Sequence, residues 1–79
     1  MDQKTIKVVK SFHCPWDEFR CENAEEAKFV LDLLQKEYPH GTTKMSDAVK
    51  NMVKHDRSID KYDLFDFMKK NGIILRDRY

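Results

Sequence analysis

His13, Cys14, Cys21 and His40 are the residues whose side chains best suit a metal ion. Thiolate and imidazole both bind zinc, and four such ligands would brace a small core. Their spacing argues against it. Zinc-binding cysteines come in pairs two to four residues apart, whereas six residues separate Cys14 from Cys21. Cys21 reads as a buried thiol on a strand and Cys14 as a loop thiol. A nucleophilic cysteine needs a base beside it in space. His13 adjoins Cys14 in sequence, but neighbours on an extended chain point to opposite faces. The carboxylate pairs Asp17–Glu18, Glu25–Glu26 and Asp60–Asp63 fall in a hairpin loop or in first helical turns, where the helix dipole accounts for them. "GTTK" (41–44) lacks the spacing of a phosphate loop and a strand before it. No catalytic residue, metal site or cofactor motif emerges, and the chain reads as a non-enzymatic binding protein.

The totals bound what it can bind. Seventy-nine residues make a single domain, 1–79, near the lower size for a self-sufficient core. Apolar residues are 41% and charged residues 37%, enough for one core but not for a buried cavity as well. The net charge is +1, divided unevenly. Residues 1–43 carry six Lys/Arg against eight Asp/Glu, and residues 44–79 carry nine against six. The second half is mildly basic, short of the strongly basic signature of a dedicated nucleic-acid binder. Two cysteines are too few for a secreted disulfide scaffold. "TIKVV" is interrupted by Lys7 and followed by Lys10, so no signal peptide is expected, and no run approaches a membrane span. A cytoplasmic, reduced protein is expected, with totals that also suit small proteins of phages and mobile elements.

"KTIKVVKSF" (4–12) is rich in β-branched residues, with Ile6, Val8 and Phe12 on one face and Lys7 and Val9 on the other. Pro15 breaks it. "DEFRCEN" (17–23) alternates again, so residues 1–22 read as a β-hairpin. Asn23 is a good N-cap, followed by Glu25 and Glu26. Helix one covers 23–38, its apolar stripe formed by Ala27, Val30, Leu31, Leu34 and Tyr38 and widened by Phe29 and Leu33. Pro39 and Gly41 stop it. Ser46 reads as the cap of a second helix, 46–55, with Ala48, Val49, Met52 and Val53 on its apolar face. Asp60 caps a third, 60–71, which ends at Asn71-Gly72. Residues 73–78 read as a short terminal strand that pairs with the first. The expected fold is α+β, ordered β-β-α-α-α-β, with the hairpin packed on three helices.

"DAVKNMVKHDRSIDKYDLFDFMKKNGIILRDR" (47–78) resembles the C-terminal DNA-binding segment of phage antirepressors of the KilA-C type. Leu64, Phe65, Met68, Gly72, Ile74 and Leu75 carry the likeness, which covers less than half the chain. The turn departs from the family, having His55-Asp56 and no glycine. The resemblance implies DNA binding by a helix-turn-helix-like pair, 46–55 and 60–71, with "GIILRDRY" as one arm of a wing. On that reading the phosphate contacts come from Lys50, Lys54, Arg57, Lys61, Lys69, Lys70, Arg76 and Arg78. Ser58, Asp60, Lys61 and Tyr62 would face the groove. Asp60, Asp63 and Asp66 recur along one side of the same helix and would repel phosphate.

The alternative is a protein-interaction modulator or inhibitor that binds a larger host protein. Trp16, after Pro15 in the hairpin loop, is its hot-spot candidate. Tyr62, Tyr79, Asp63 and Asp66 would complete that surface. A free strand edge would also allow a homodimer.

Overall fold

The computed structural model describes residues 5–13, 15–57 and 59–77. Strands β1 (Ile6–His13) and β2 (Trp16–Arg20) form an antiparallel hairpin, with Val9 opposite Arg20 and His13 opposite Trp16. Helix α1 (Ala24–Glu37) begins where the Asn23 side chain accepts a hydrogen bond from the Glu26 amide at 2.9 Å. Its buried apolar residues are Ala27, Val30 and Leu34, while Phe29 is 44% exposed. Strands β3 (Thr43–Met45) and β4 (Met52–Asp56) form a second antiparallel hairpin. Helix α2 (Lys61–Lys70) is capped by Asp60, which accepts from the Tyr62 and Asp63 amides. Strand β5 (Ile73–Asp77) closes the order.

Among the described residues, the expected three helices on a hairpin are therefore replaced by two helices on a five-stranded mixed sheet. The segment 46–55 is not a helix. Ser46 does act as a cap, its hydroxyl accepting from the Ala48 and Val49 amides, but it closes a single turn. The Ser46 amide then donates to the Met52 carbonyl at 2.9 Å, which returns the chain as β4. The apolar spacing of Ala48, Val49, Met52 and Val53 suits a helix equally well; the pairing of β4 with β2 decides between them. Asn51 fixes that pairing at its start. Its carbonyl accepts from the Cys21 amide at 2.8 Å, and its side-chain amide donates to the Cys21 carbonyl at 2.6 Å.

The sheet order is β3-β4-β2-β1-β5, with β1 and β5 parallel and all other neighbours antiparallel. β2-α1-β3 and β4-α2-β5 are each split crossovers between parallel strands, the first around β4 and the second around β2 and β1. Strand alternation then assigns the faces. Ile6, Val8, Phe19, Val53 and Ile73 point to one side and meet Ala27, Val30, Leu34, Leu64 and Met68 from the helices. Both helices thus cover the same face. Gly72, at φ 79°, makes the left-handed turn after α2, and its carbonyl accepts from the Ile6 amide at 3.0 Å. Among the described residues, no helix is long and apolar enough to cross a membrane.

Three substitutions test this core and its closure. Phe19, fully buried at the sheet centre, should cost about 3–5 kcal/mol when replaced by Ala. Gly72→Ala should cost roughly 1–2 kcal/mol through its left-handed backbone. Phe29→Ala, on the exposed flank of α1, should lie within about 0.5 kcal/mol of the parent. Urea unfolding ranks the three, and equal losses at Phe19 and Phe29 would contradict this packing.

Candidate functional site

The helices leave one face of the sheet open, and alternation sends a particular set of side chains there. From β1 come Lys7, Val9, Ser11 and His13; from β2, Trp16, Glu18 and Arg20; from β4, Met52, Lys54 and Asp56; from β3, Lys44; from β5, Ile74 and Arg76. Register arranges them in rows across the strands. One row runs Asp56, Trp16, His13. The next runs Lys44, Lys54, Glu18, Ser11. A third runs Met52, Arg20, Val9, Arg76, and Lys7 stands beside Ile74 beyond it. Five Lys/Arg thus share this face with two carboxylates, a balance of +3. On α1 the balance is reversed, with Lys28 and Lys36 against Glu25, Glu26, Asp32 and Glu37.

Glu18 sits at the centre of the open face, its side chain only 12% exposed. It accepts from the Ser11 hydroxyl at 3.3 Å, meets His13 Nε2 at 3.2 Å and lies 3.9 Å from Lys54 Nζ. Its charge is absorbed locally, so the surrounding cations dominate the field. Lys44 Nζ stands 5.2 Å from the centre of the Trp16 ring, a cation–π distance. Trp16 is half-buried, and its ring belongs to the same row as the His13 imidazole. A pocket of about 810 Å³ is lined by Ser11, His13, Glu18, Arg20 and Met52 of this face together with Lys10, Phe12 and Asp77 from the other.

The opposite face holds a buried polar row at the same end of the sheet. Thr43, His55 and Asp17 are register neighbours across β3, β4 and β2. The Thr43 hydroxyl and His55 Nδ1 share a hydrogen bond, and Asp17 Oδ1 accepts from Arg57 Nε at 3.2 Å. His55 is fully buried and its Nε2 has no partner among the described residues. Burial pushes the His55 imidazole below its usual 6.5, against the pull of Asp56 and Asp17. Burial raises the Asp17 carboxyl above 3.8, opposed chiefly by Arg57. Thr43 is itself buried, so the row is a structural network without a reachable nucleophile.

The residues singled out from the sequence scatter over this framework. Lys54 and Arg76 lie on the open face. Lys50 is exposed in the β3–β4 connection. Arg57 follows β4 and bonds Asp17. Lys61, Lys69 and Lys70 belong to α2, on the helix side, where Lys70 pairs with Asp66 at 3.2 Å. Asp63 and Tyr62 are exposed on the same helix, and Lys61 Nζ lies 5.5 Å from the Tyr62 ring centre. Trp16 stands on the open face rather than in a hairpin loop. Arg78, Tyr79, Cys14 and Ser58 lie outside the described residues. The helix-turn-helix pair is absent because its first member is β4. Sequence reasoning does not single out Lys7, Arg20 and Lys44; the alternation of Lys44 with Thr43 and Met45, and of Lys54 with Val53 and His55, is the signal that could have found the face. Cys21 is in the core, its thiol pushed up to about 12 by burial and then by Glu26. Among the described residues, no three His, Cys, Asp or Glu gather to hold a metal.

The buried imidazole makes stability depend on pH. Below pH 6.5 the unfolded chain takes up a proton at His55 before the folded protein does, so stability falls as pH is lowered through that region. The slope for one proton is at most about 1.4 kcal/mol per pH unit. Asp17 acts in the opposite sense, because the folded protein protonates first there. Urea midpoints between pH 7.5 and 5 (about the range over which an ordinary histidine titrates) should decline in the parent and flatten in His55→Asn. No family model, no curated protein and no solved structure matches this chain.

Proposed function

We propose that this chain binds single-stranded nucleic acid on the open face of its sheet, in keeping with a non-enzymatic regulator. The observation that carries the reading is the segregation of charge by strand alternation. Lys7, Arg20, Lys44, Lys54 and Arg76 face one way, while the acidic excess of α1 faces the other. Five strands at about 4.8 Å spacing present a surface roughly 19 Å across, broad enough for several nucleotides laid across it. The ring of Trp16, with His13 beside it, supplies a stacking platform for bases, and the lysines and arginines around it meet the backbone. A flat sheet face has nothing that projects into the major groove of a duplex. The preference for a single strand follows from that shape.

A protein partner is the second reading, supported by Tyr62, which is 72% exposed on α2 beside Asp63 and Asp66.

Fluorescence anisotropy with labelled single-stranded oligonucleotides distinguishes them. Binding at low salt should quench Trp16 emission. Replacing the exposed Lys7, Lys44 and Arg76 together by Ala should weaken binding and reduce the salt slope by about 2, near 0.7 for each phosphate no longer neutralised. Lys28→Ala with Lys36→Ala, on α1, should leave binding unchanged. Absence of binding to any oligonucleotide at low salt, or equal weakening in both sets of variants, would rule out the nucleic-acid reading.

A further inference from the structure

On the helix side, where β1 ends and β4 leads into α2, Phe12, Asp17, Arg57, Ile59 and Lys61 line a pocket of about 450 Å³. Its charges are two cations and one carboxylate. The carboxylate is already engaged: the Asp17 side chain is 3% exposed and bonded to Arg57 Nε at 3.2 Å. That bond orients the guanidinium, which lies 5.2 Å from the centre of the Phe12 ring, and the Arg57 side chain as a whole is still 43% exposed. A guanidinium held by one edge keeps its remaining N–H groups for a second partner, and its planar fork suits carboxylate and phosphate. Lys61, exposed at the start of α2, adds a second positive charge to the lining. Phe12 is 46% exposed and Ile59 partly buried, so the walls offer apolar area that a ligand would cover.

We propose that this pocket binds a small organic anion, a carboxylate or phosphate monoester with an apolar body. The negative group lies between Arg57 and Lys61, and the body lies against Phe12 and Ile59. A cationic ligand is disfavoured, because Asp17 is committed to Arg57 and both neighbouring charges would repel it. The pocket lies on the other side of the sheet from the nucleic-acid face, so the two sites stand or fall separately.

An NMR titration of the intact chain tests the site, following backbone amides with phenyl phosphate and with benzoate, and with inorganic phosphate and benzylamine as controls. Saturable shifts at Phe12, Asp17, Ile59 and Lys61 are expected with at least one aromatic anion, and comparing the two settles which head group is preferred. Lys61→Ala should weaken that binding roughly tenfold, the effect of removing one charge-assisted hydrogen bond. Being exposed, Lys61 can be replaced without disturbing the core; Arg57→Gln is a stronger test wherever the variant folds. Three results would overturn the proposal: no saturable shift at these amides at millimolar ligand, inorganic phosphate binding as tightly as phenyl phosphate, or benzylamine moving the same amides.

Discussion

Strand β2 has two edges, and both must be paired. It runs through the middle of the sheet with Asp17, Glu18 and Phe19 buried, so an unpaired amide or carbonyl on either side would be left without water. β1 satisfies one edge through the hairpin. The other edge requires a strand, and Met52–Asp56 supplies it. Much of the molecule follows from this demand. It makes a hairpin of residues 43–56 where local patterning suits a helix. It puts His55 next to Asp17 on the covered face, and Lys54 next to Glu18 on the open one.

The same pairing sorts the charges. A helix over 46–55 would have gathered Asp47, Lys50 and Lys54 on one stripe, at i, i+3 and i+7, with the two lysines offset by the acid. As a strand, β4 sends Lys54 to the open face and His55 to the core, and β3 sends Lys44 to stand beside Lys54. The formal balance of +1 hides this arrangement completely. What a partner would meet is a sheet face at +3, with Glu18 bonded by Ser11 and placed between His13 and Lys54. The charge sum says little about recognition; the period-two placement of each charge says most of it.

Local signals are legible wherever the deciding interaction is itself local. Asn23 with Glu25 and Glu26 marks the start of α1, and Asp60 and Asn71-Gly72 bracket α2, because caps act over three or four residues. The alternation in 6–12 and 17–21 marks the first hairpin. Ser46 is legible as a cap but not as the cap of a single turn, since the hydroxyl bonds the same two amides there as it would in a helix. The choice rests on Asn51 reaching Cys21, thirty residues earlier. The candidate site is less legible for the same reason. Arg76 and Lys54 stand out as cations, but Lys7, Arg20 and Lys44 join them only once five strands are in order. The basic residues of α2, to which the resemblance to antirepressors would assign phosphate contacts, end on the other side of the sheet.

The parallel pair β1–β5 joins residues at the two extremes of the fold, Ile6 beside Ile73. During synthesis, the hairpin and α1 emerge long before their last neighbour. Until Ile73–Asp77 has left the ribosome, β1 presents an open hydrogen-bonding edge, with Ile6 and Val8 incompletely covered. Contacts so distant in the chain close slowly, and an exposed strand edge invites pairing with other chains meanwhile. Lys7 and Lys10, flanking Val8 and Val9 on that edge strand, place charges where such intermolecular pairing would begin.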